Sequence, residues 1–237
     1  MPMAEHPLPF TVPVMKLYLA GKKTQTRRPI RFKHCRTFPP SEIRSIHQDG
    51  GGNWVGWDSD APDLAELTKL AYPNGEGFKC PWGKPGDHLW IREAIRHRVD
   101  VYQGMSGATY STDLSPVMGA GPAGQYCGRA LVNWKWKHNV LSAMHMPRWA
   151  SRSVPELLKV RVQWVQDISA SDAVAEGIDV DQAMMRLPTT VDLDDPILRR
   201  ETAVYAFSVL WDAIYAKQGY GWDDNPWVWV LEFPPYR

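Results

Sequence analysis

Cysteine is scarce in this chain. Three residues in 237, at positions 35, 80 and 127, are too widely separated and odd in number to form a disulfide framework. The expected compartment is therefore reducing, and the expected location cytoplasmic. No apolar run approaches the roughly 18 residues needed to span a bilayer, so no membrane partner is expected. The opening residues, Met1-Pro2-Met3-Ala4-Glu5-His6, lack the basic head and apolar centre of a signal peptide. Phosphate-binding P-loops and dinucleotide fingerprints are absent. So are the His-x-Glu and Pro-Cys-x-x-Cys elements of zinc deaminases. His34, Cys35, Cys80 and Cys127 lack Cys-x-x-Cys spacing, so no metal site and no cofactor are expected. There are no internal repeats and no low-complexity tracts.

What is present describes one globular domain. The apolar fraction of 44% and charged fraction of 22% suit a soluble protein with a real core. A net charge of +1 hides a strong asymmetry. Nine Lys or Arg face a single acid, Glu42, between Lys16 and Arg44, and nine acids face three arginines between Asp167 and Glu201. Such a basic segment points to a polyanionic partner or phosphate-bearing ligand, or else to a charged surface offset by an acidic one. Twelve tryptophans supply either base-stacking surfaces or core.

Along the chain, residues 1–12 hold three prolines and read as an extended lead-in. Pro13 sits where proline opens a helix, and a short helix follows to Leu19. Gly21 can close that helix in the left-handed conformation. Thr24 to Ile30 reads as a strand, His88 to Ala94 as another, and Val160 to Trp164 as a half-buried third. Ser169-x-x-Asp172 is an N-capping pattern for a short helix ending at Gly177. Phe207, Leu210, Trp211, Ile214 and Tyr215 follow helical spacing within an amphipathic helix over 197–217, where an aromatic stripe is more often core than ligand site. Trp227 to Phe233 is a continuous apolar strand, central or barrel-closing. Trp134-Lys135-Trp136-Lys137 alternates as a strand with a stacking face and a phosphate face, or simply a half-buried one. Turn-rich stretches at about 31–80, 96–140 and 179–196 read as insertions in a single domain spanning 1–237.

Lys23-x-x-Thr26-x-Arg28 concentrates the chemistry. An extended backbone sets Thr26 and Arg28 on one face. A hydroxyl between cations is an anion-reading or acyl-transfer site, or a solvated basic strand. Glu93 shares the parity of Leu89 and Ile91, so it points to the interior or a cleft. A carboxylate there needs a partner or a shifted pKa, and a nearby arginine would supply the first. His145 to Arg152, with two arginines and a tryptophan around Pro147, is a ligand-lining loop or a structural turn.

Together these pieces resemble the ASCH family. The matching elements are Gly21-Lys22-Lys23-Thr24-x-Thr26-x-Arg28, Pro85 to Glu93, Ile168 to Ile178, and Asn225 to Phe233. With Cys80 to Lys84 and His145 to Arg152 added, the resemblance extends to the longer phage and prophage members. It implies an α+β fold, a PUA-like mixed β-barrel with flanking helices and long loop insertions. It also implies binding of RNA or of a modified cytidine nucleoside. The closest chemical precedent is an amidohydrolase that removes the acetyl group of N4-acetylcytidine. That implies Lys23 as base, Thr26 as nucleophile and Glu176 as acid, with Lys22, Arg28, Trp90, Arg92, Glu93, Arg148 and Trp149 binding substrate. Lys22 replaces the motif's arginine, and the long insertions depart further from short members. The chemistry is coherent: a threonine hydroxyl needs a base, and lysine serves only if burial or nearby cations lower its pKa. An oxyanion donor, a backbone amide or Arg28, is also required. The competing expectations are a non-catalytic RNA-binding module and a metal-independent ribonuclease.

Overall fold

The computed structural model describes residues 3–31, 45–48, 54–57, 79–99, 106–117, 136–186, 188 and 192–236. Its strands, in chain order, are β1 (Glu5–Pro9), β2 (Gln25–Pro29), β3 (Ser45–Gln48), β4 (Trp54–Trp57), β5 (His88–Arg92), β6 (Ile95–Val99), β7 (Ser106–Tyr110), β8 (Val140–Leu141), β9 (Lys159–Trp164) and β10 (Trp227–Glu232). The helices are α1 (Val12–Leu19), α2 (Ala170–Ala175), α3 (Val180–Met184) and α4 (Pro196–Tyr215).

The strand that organises the molecule is β10. It pairs antiparallel with β2 on one side and β9 on the other, and Trp227 to Leu231 are all buried. Alternation along a strand splits these residues between two faces. Trp227, Trp229 and Leu231 join Leu8, Phe10, Met15, Tyr18, Leu89 and Ile91 in one core. Val228 and Val230 meet Phe207, Trp211 and Tyr215 of α4 in a second. A third, smaller cluster belongs to the sheet β7-β6-β8. Two-stranded pairs, parallel β1-β5 and antiparallel β3-β4, complete the sheets.

The fold is thus mixed α and β, as expected, but no sheet among the described residues closes into a barrel. The reason lies at β10: its three-stranded sheet is covered by a core on each face and stays open, so β10 is central and closes nothing. Other expectations also shift. The lead-in contains β1. Pro7 and Pro9 suit it because backbone groups alternate in direction along a parallel strand, and prolines tolerate only the positions that face off the sheet. Residues 96–140 hold most of the β6–β7 hairpin and β8, and 179–196 holds α3, whose N-cap Asp179 accepts from the Gln182 amide at 3.0 Å. Trp136 lies in no strand and Lys137 begins a bend, and residues 134–135 lie outside the described residues, as do most of 31–80. The outer face of α4 mixes exposed Ile197, Tyr205 and Val209 with exposed Arg200, Glu201 and Asp212, so the helix is only weakly amphipathic.

Two glycines set the site. After α1, the Gly21 amide donates to the Tyr18 carbonyl (2.9 Å) and the Lys22 amide to that of Leu17 (3.0 Å), with Gly21 at φ 69°. After α2, Gly177 (φ 101°) donates to Val174 (2.8 Å) and Ile178 to Ala173 (3.1 Å). Both are Schellman terminations. The first throws the chain into β2; the second holds Glu176 at the cap of α2.

Candidate active site

The start of β2 docks on the C-terminus of α2. The Thr24 amide donates to the Ala175 carbonyl (2.9 Å), and the Lys23 ammonium to that of Glu176 (2.9 Å). Carbonyls at a helix end lack intrahelical donors and favour cations, so a lysine is well placed there. The same Nζ donates to Glu176 Oε2 at 2.7 Å. Arg27 NH1 reaches Oε1 at 3.2 Å and its NH2 reaches Asp172 Oδ2 at 2.8 Å. Asp172 Oδ1 accepts from Arg161 (2.9 Å), which also pairs with Glu232 (3.0 Å). Cations and carboxylates therefore alternate: Lys23, Glu176, Arg27, Asp172, Arg161, Glu232. Lys23, Arg27 and Glu176 are each at most 4% exposed. Burying such charges is tolerable only with this degree of pairing.

Burial pushes the Lys23 pKa down. Glu176 opposes the shift, Arg28 and Arg27 add to it, and the net direction is downward. Asp172 moves the other way from what burial alone would do. Burial would raise its pKa, but Arg161 and Arg27 prevail and hold it below the ordinary carboxylate value.

Lys23, Thr26, Arg27, Arg28 and Glu176 line one cavity together with Phe207, Leu210, Trp211, Ile214 and Tyr215, a wall from α4, and with Val14 of α1 and its N-cap Thr11. Its volume is about 50 Å³, room for more than one water, and it is partly open to solvent. Thr26 and Arg28 lie opposite Leu231 and Trp229 of β10, whereas Arg27 lies opposite Val230. The cavity thus wraps around β2, which ends its sheet among the described residues. The Thr26 hydroxyl makes no hydrogen bond among the described residues. Arg28 NH1 donates to the Tyr215 hydroxyl (2.9 Å) and NH2 to the Pro9 carbonyl (2.7 Å).

Of the ten expected site residues, Lys23, Thr26, Arg28 and Glu176 come together here. Lys22 does not line the cavity; it is exposed and pairs with Asp179 at 3.1 Å. The other five form a separate patch around β5 and the turns at 143–150. Arg92 lies 4.9 Å from the Trp90 ring and donates to the Met144 carbonyl. Arg148 pairs with Glu5 at 2.5 Å, and Trp149 is exposed. Glu93 does point inward, at 1% exposed, but Arg152 grips both its oxygens (2.8 and 2.9 Å) and also reaches Asp113 (2.7 Å). Burial raises the Glu93 pKa against the pull of Arg152. That arrangement fastens the strand end, as the nearby-arginine reading anticipated.

Arg27, Asp172 and the α4 wall were not anticipated as parts of a site. The available signals were that Arg27 alternates with Thr26 and Arg28 on the opposite face of β2, and that Asp172 precedes Glu176 by one helical turn. Among the described residues, no cluster of three or more His, Cys, Asp or Glu is placed to hold a metal, and no helix is long and apolar enough to cross a membrane. Cys35, His34 and Cys127 lie outside the described residues. No family model, curated protein or solved structure matches the chain.

Proposed function

We propose that this cavity hydrolyses the N4-acyl amide of a cytidine-like nucleobase, in a protein of ASCH type with a PUA-like ancestry to its central sheet. One observation carries the reading: Lys23, Thr26 and Glu176, drawn from two segments some 150 positions apart, line one cavity, with Lys23 and Glu176 in contact at 2.7 Å.

The proton accounting favours a lysine base. A neutral amine has two N–H donors and one lone pair. The Glu176 carboxylate and carbonyl take the two donors, which leaves the lone pair for the Thr26 proton. Burial and the two arginines favour that neutral form. Thr26 Oγ1 then attacks the acyl carbon, its proton passing to Lys23, and a C–O bond forms as the carbonyl becomes an oxyanion. When this intermediate collapses, the C–N bond breaks and the N4 nitrogen takes a proton. Both Glu176 oxygens already accept from cations, so the Lys23 ammonium is the better donor and Glu176 its orienting carboxylate. Water, deprotonated by the same lysine, cleaves the resulting ester to release the carboxylic acid. The aromatic wall of α4 supplies an apolar surface for a flat ring.

Incubating the protein with N4-acetylcytidine and following cytidine by liquid chromatography tests this. Release that vanishes in Thr26→Ala and Lys23→Met, with both variants folded by circular dichroism, is the expected result. Intact nucleoside with cleavage of a mixed RNA would replace the reading with a ribonuclease. Salt-sensitive RNA binding without either product would replace it with a binding module.

A further inference from the structure

The charges lining the cavity do not balance. Lys23 and Arg27 share Glu176 and Asp172, whereas Arg28 has no carboxylate partner among the described residues. Its two hydrogen bonds go to neutral oxygens, on Tyr215 and Pro9. A guanidinium has five N–H donors, so three remain. One of them, on Nε, is shut off from solvent with no acceptor. Because the Tyr215 hydroxyl accepts from Arg28, its own hydrogen is free, and Tyr215 lines the same cavity.

We propose that Arg28 and the Tyr215 hydroxyl form an anion receptor, so that the ligand of this cavity is a charged cytidine derivative, bearing a phosphate or a carboxylate, rather than a neutral nucleoside. The nucleobase part of this statement rests on the function proposed above; the anion part rests on the unbalanced charge alone. A guanidinium facing only neutral oxygens gains most from an ionised acceptor, because charge-assisted hydrogen bonds are roughly twice as strong as neutral ones. Arg28 shares its face of β2 with Thr26, two residues away, so the anionic group sits close to the reacting hydroxyl.

Calorimetric titration at low salt, in the Thr26→Ala background so that nothing is hydrolysed, tests the receptor. Two matched pairs are compared, cytidine with cytidine 5′-monophosphate and N4-acetylcytidine with N4-succinylcytidine, alongside inorganic phosphate. In at least one pair the charged member should bind about tenfold tighter or more. An advantage in the first pair assigns the anion to a phosphate, and in the second to a carboxylate on the acyl group. Adding Arg28→Gln should bring the ratio close to one. Tyr215→Phe, which keeps the ring and removes one donor, should reduce it partway, and this variant serves if Arg28→Gln fails to fold. Phosphate binding without either nucleoside pair would keep the receptor and sink the nucleobase reading. Nucleosides that bind no more weakly than their charged partners would overturn the receptor and leave that reading standing. No binding of any probe would overturn both.

Discussion

Replacing Glu176 with glutamine isolates the charge at the centre of the site. The carboxylate contacts Lys23 at 2.7 Å and Arg27 at 3.2 Å, and all three side chains are almost fully buried. Arg27 keeps Asp172, but Lys23 loses its carboxylate partner. Removing one member of a buried pair costs about 3–5 kcal/mol, because the other charge is left without compensation. At about 2–4 °C per kcal/mol for a chain of this size, melting should fall by about 6–20 °C at neutral pH. Lys23 has an escape, which is to lose its proton. Its native pKa already lies below the ordinary 10.5, and attraction to Glu176 was holding it up. A base with a depressed native pKa binds fewer protons folded than unfolded. Stability therefore rises with pH from the native pKa up to the unfolded value near 10.5. In Glu176→Gln that window opens at lower pH, so the gap between wild type and variant should narrow as pH increases. Urea unfolding of both proteins at intervals between pH 6 and 10 measures the gap directly. A loss under about 1 kcal/mol at pH 7, or a gap that is constant or widens with pH, would refute the reasoning. The double variant Lys23→Met/Glu176→Gln should recover much of the loss, since a buried pair can be replaced by apolar groups at little cost.

Three further expectations can be checked by the same methods. Gly177→Ala should destabilise by about 1–3 kcal/mol: the position needs φ 101°, and the added Cβ would lie 2.9 Å from a Leu17 methyl. Because it displaces the neighbouring Glu176, amide hydrolysis should fall as well. Arg152→Leu should cost about 3–5 kcal/mol by stranding Glu93, while Glu93→Gln/Arg152→Leu should cost clearly less in denaturant melts. Asp172, held below its ordinary 3.8, contributes stability that is present above that value and lost as pH falls through its native pKa. Asp172→Asn should therefore flatten the acid limb of the stability–pH curve between about pH 5 and 2.

Local signals in the sequence were legible wherever one residue decides the backbone. Pro13 near the start of α1, Ser169 capping Asp172 at 3.1 Å, and left-handed Gly21 and Gly177 all lie where side-chain chemistry requires. The apolar run of β10 was equally readable. The open sheet was not, because closure depends on which edges pair, and hydrophobic pattern does not encode that for short strands. β1 was hidden by its prolines, which are harmless on the outer edge of a parallel pair. In the site, period-two reasoning placed Thr26 and Arg28 together but gave the opposite face of β2 no role. A cavity that wraps a sheet edge collects residues from both faces, which is how Arg27 enters. The α4 stripe was read as core, and Trp211 and Tyr215 are buried. Residues of a wall between core and cavity carry both roles, and spacing alone does not separate them.

Among the described residues β2 stands at the end of its sheet, and this has a consequence for how the protein keeps to itself. A strand edge with unpaired amides invites a strand from another molecule, and proteins defend such edges with prolines and inward-pointing charges. Here the defenders are Arg27, Arg28 and Pro29, two of them cavity-lining. The cations that make this edge a chemical site also make it a poor template for a foreign strand. Simplifying the cavity to apolar residues would thus remove more than activity. It would strip this edge of its charges and leave the burial of β2 as its remaining guard against a foreign strand.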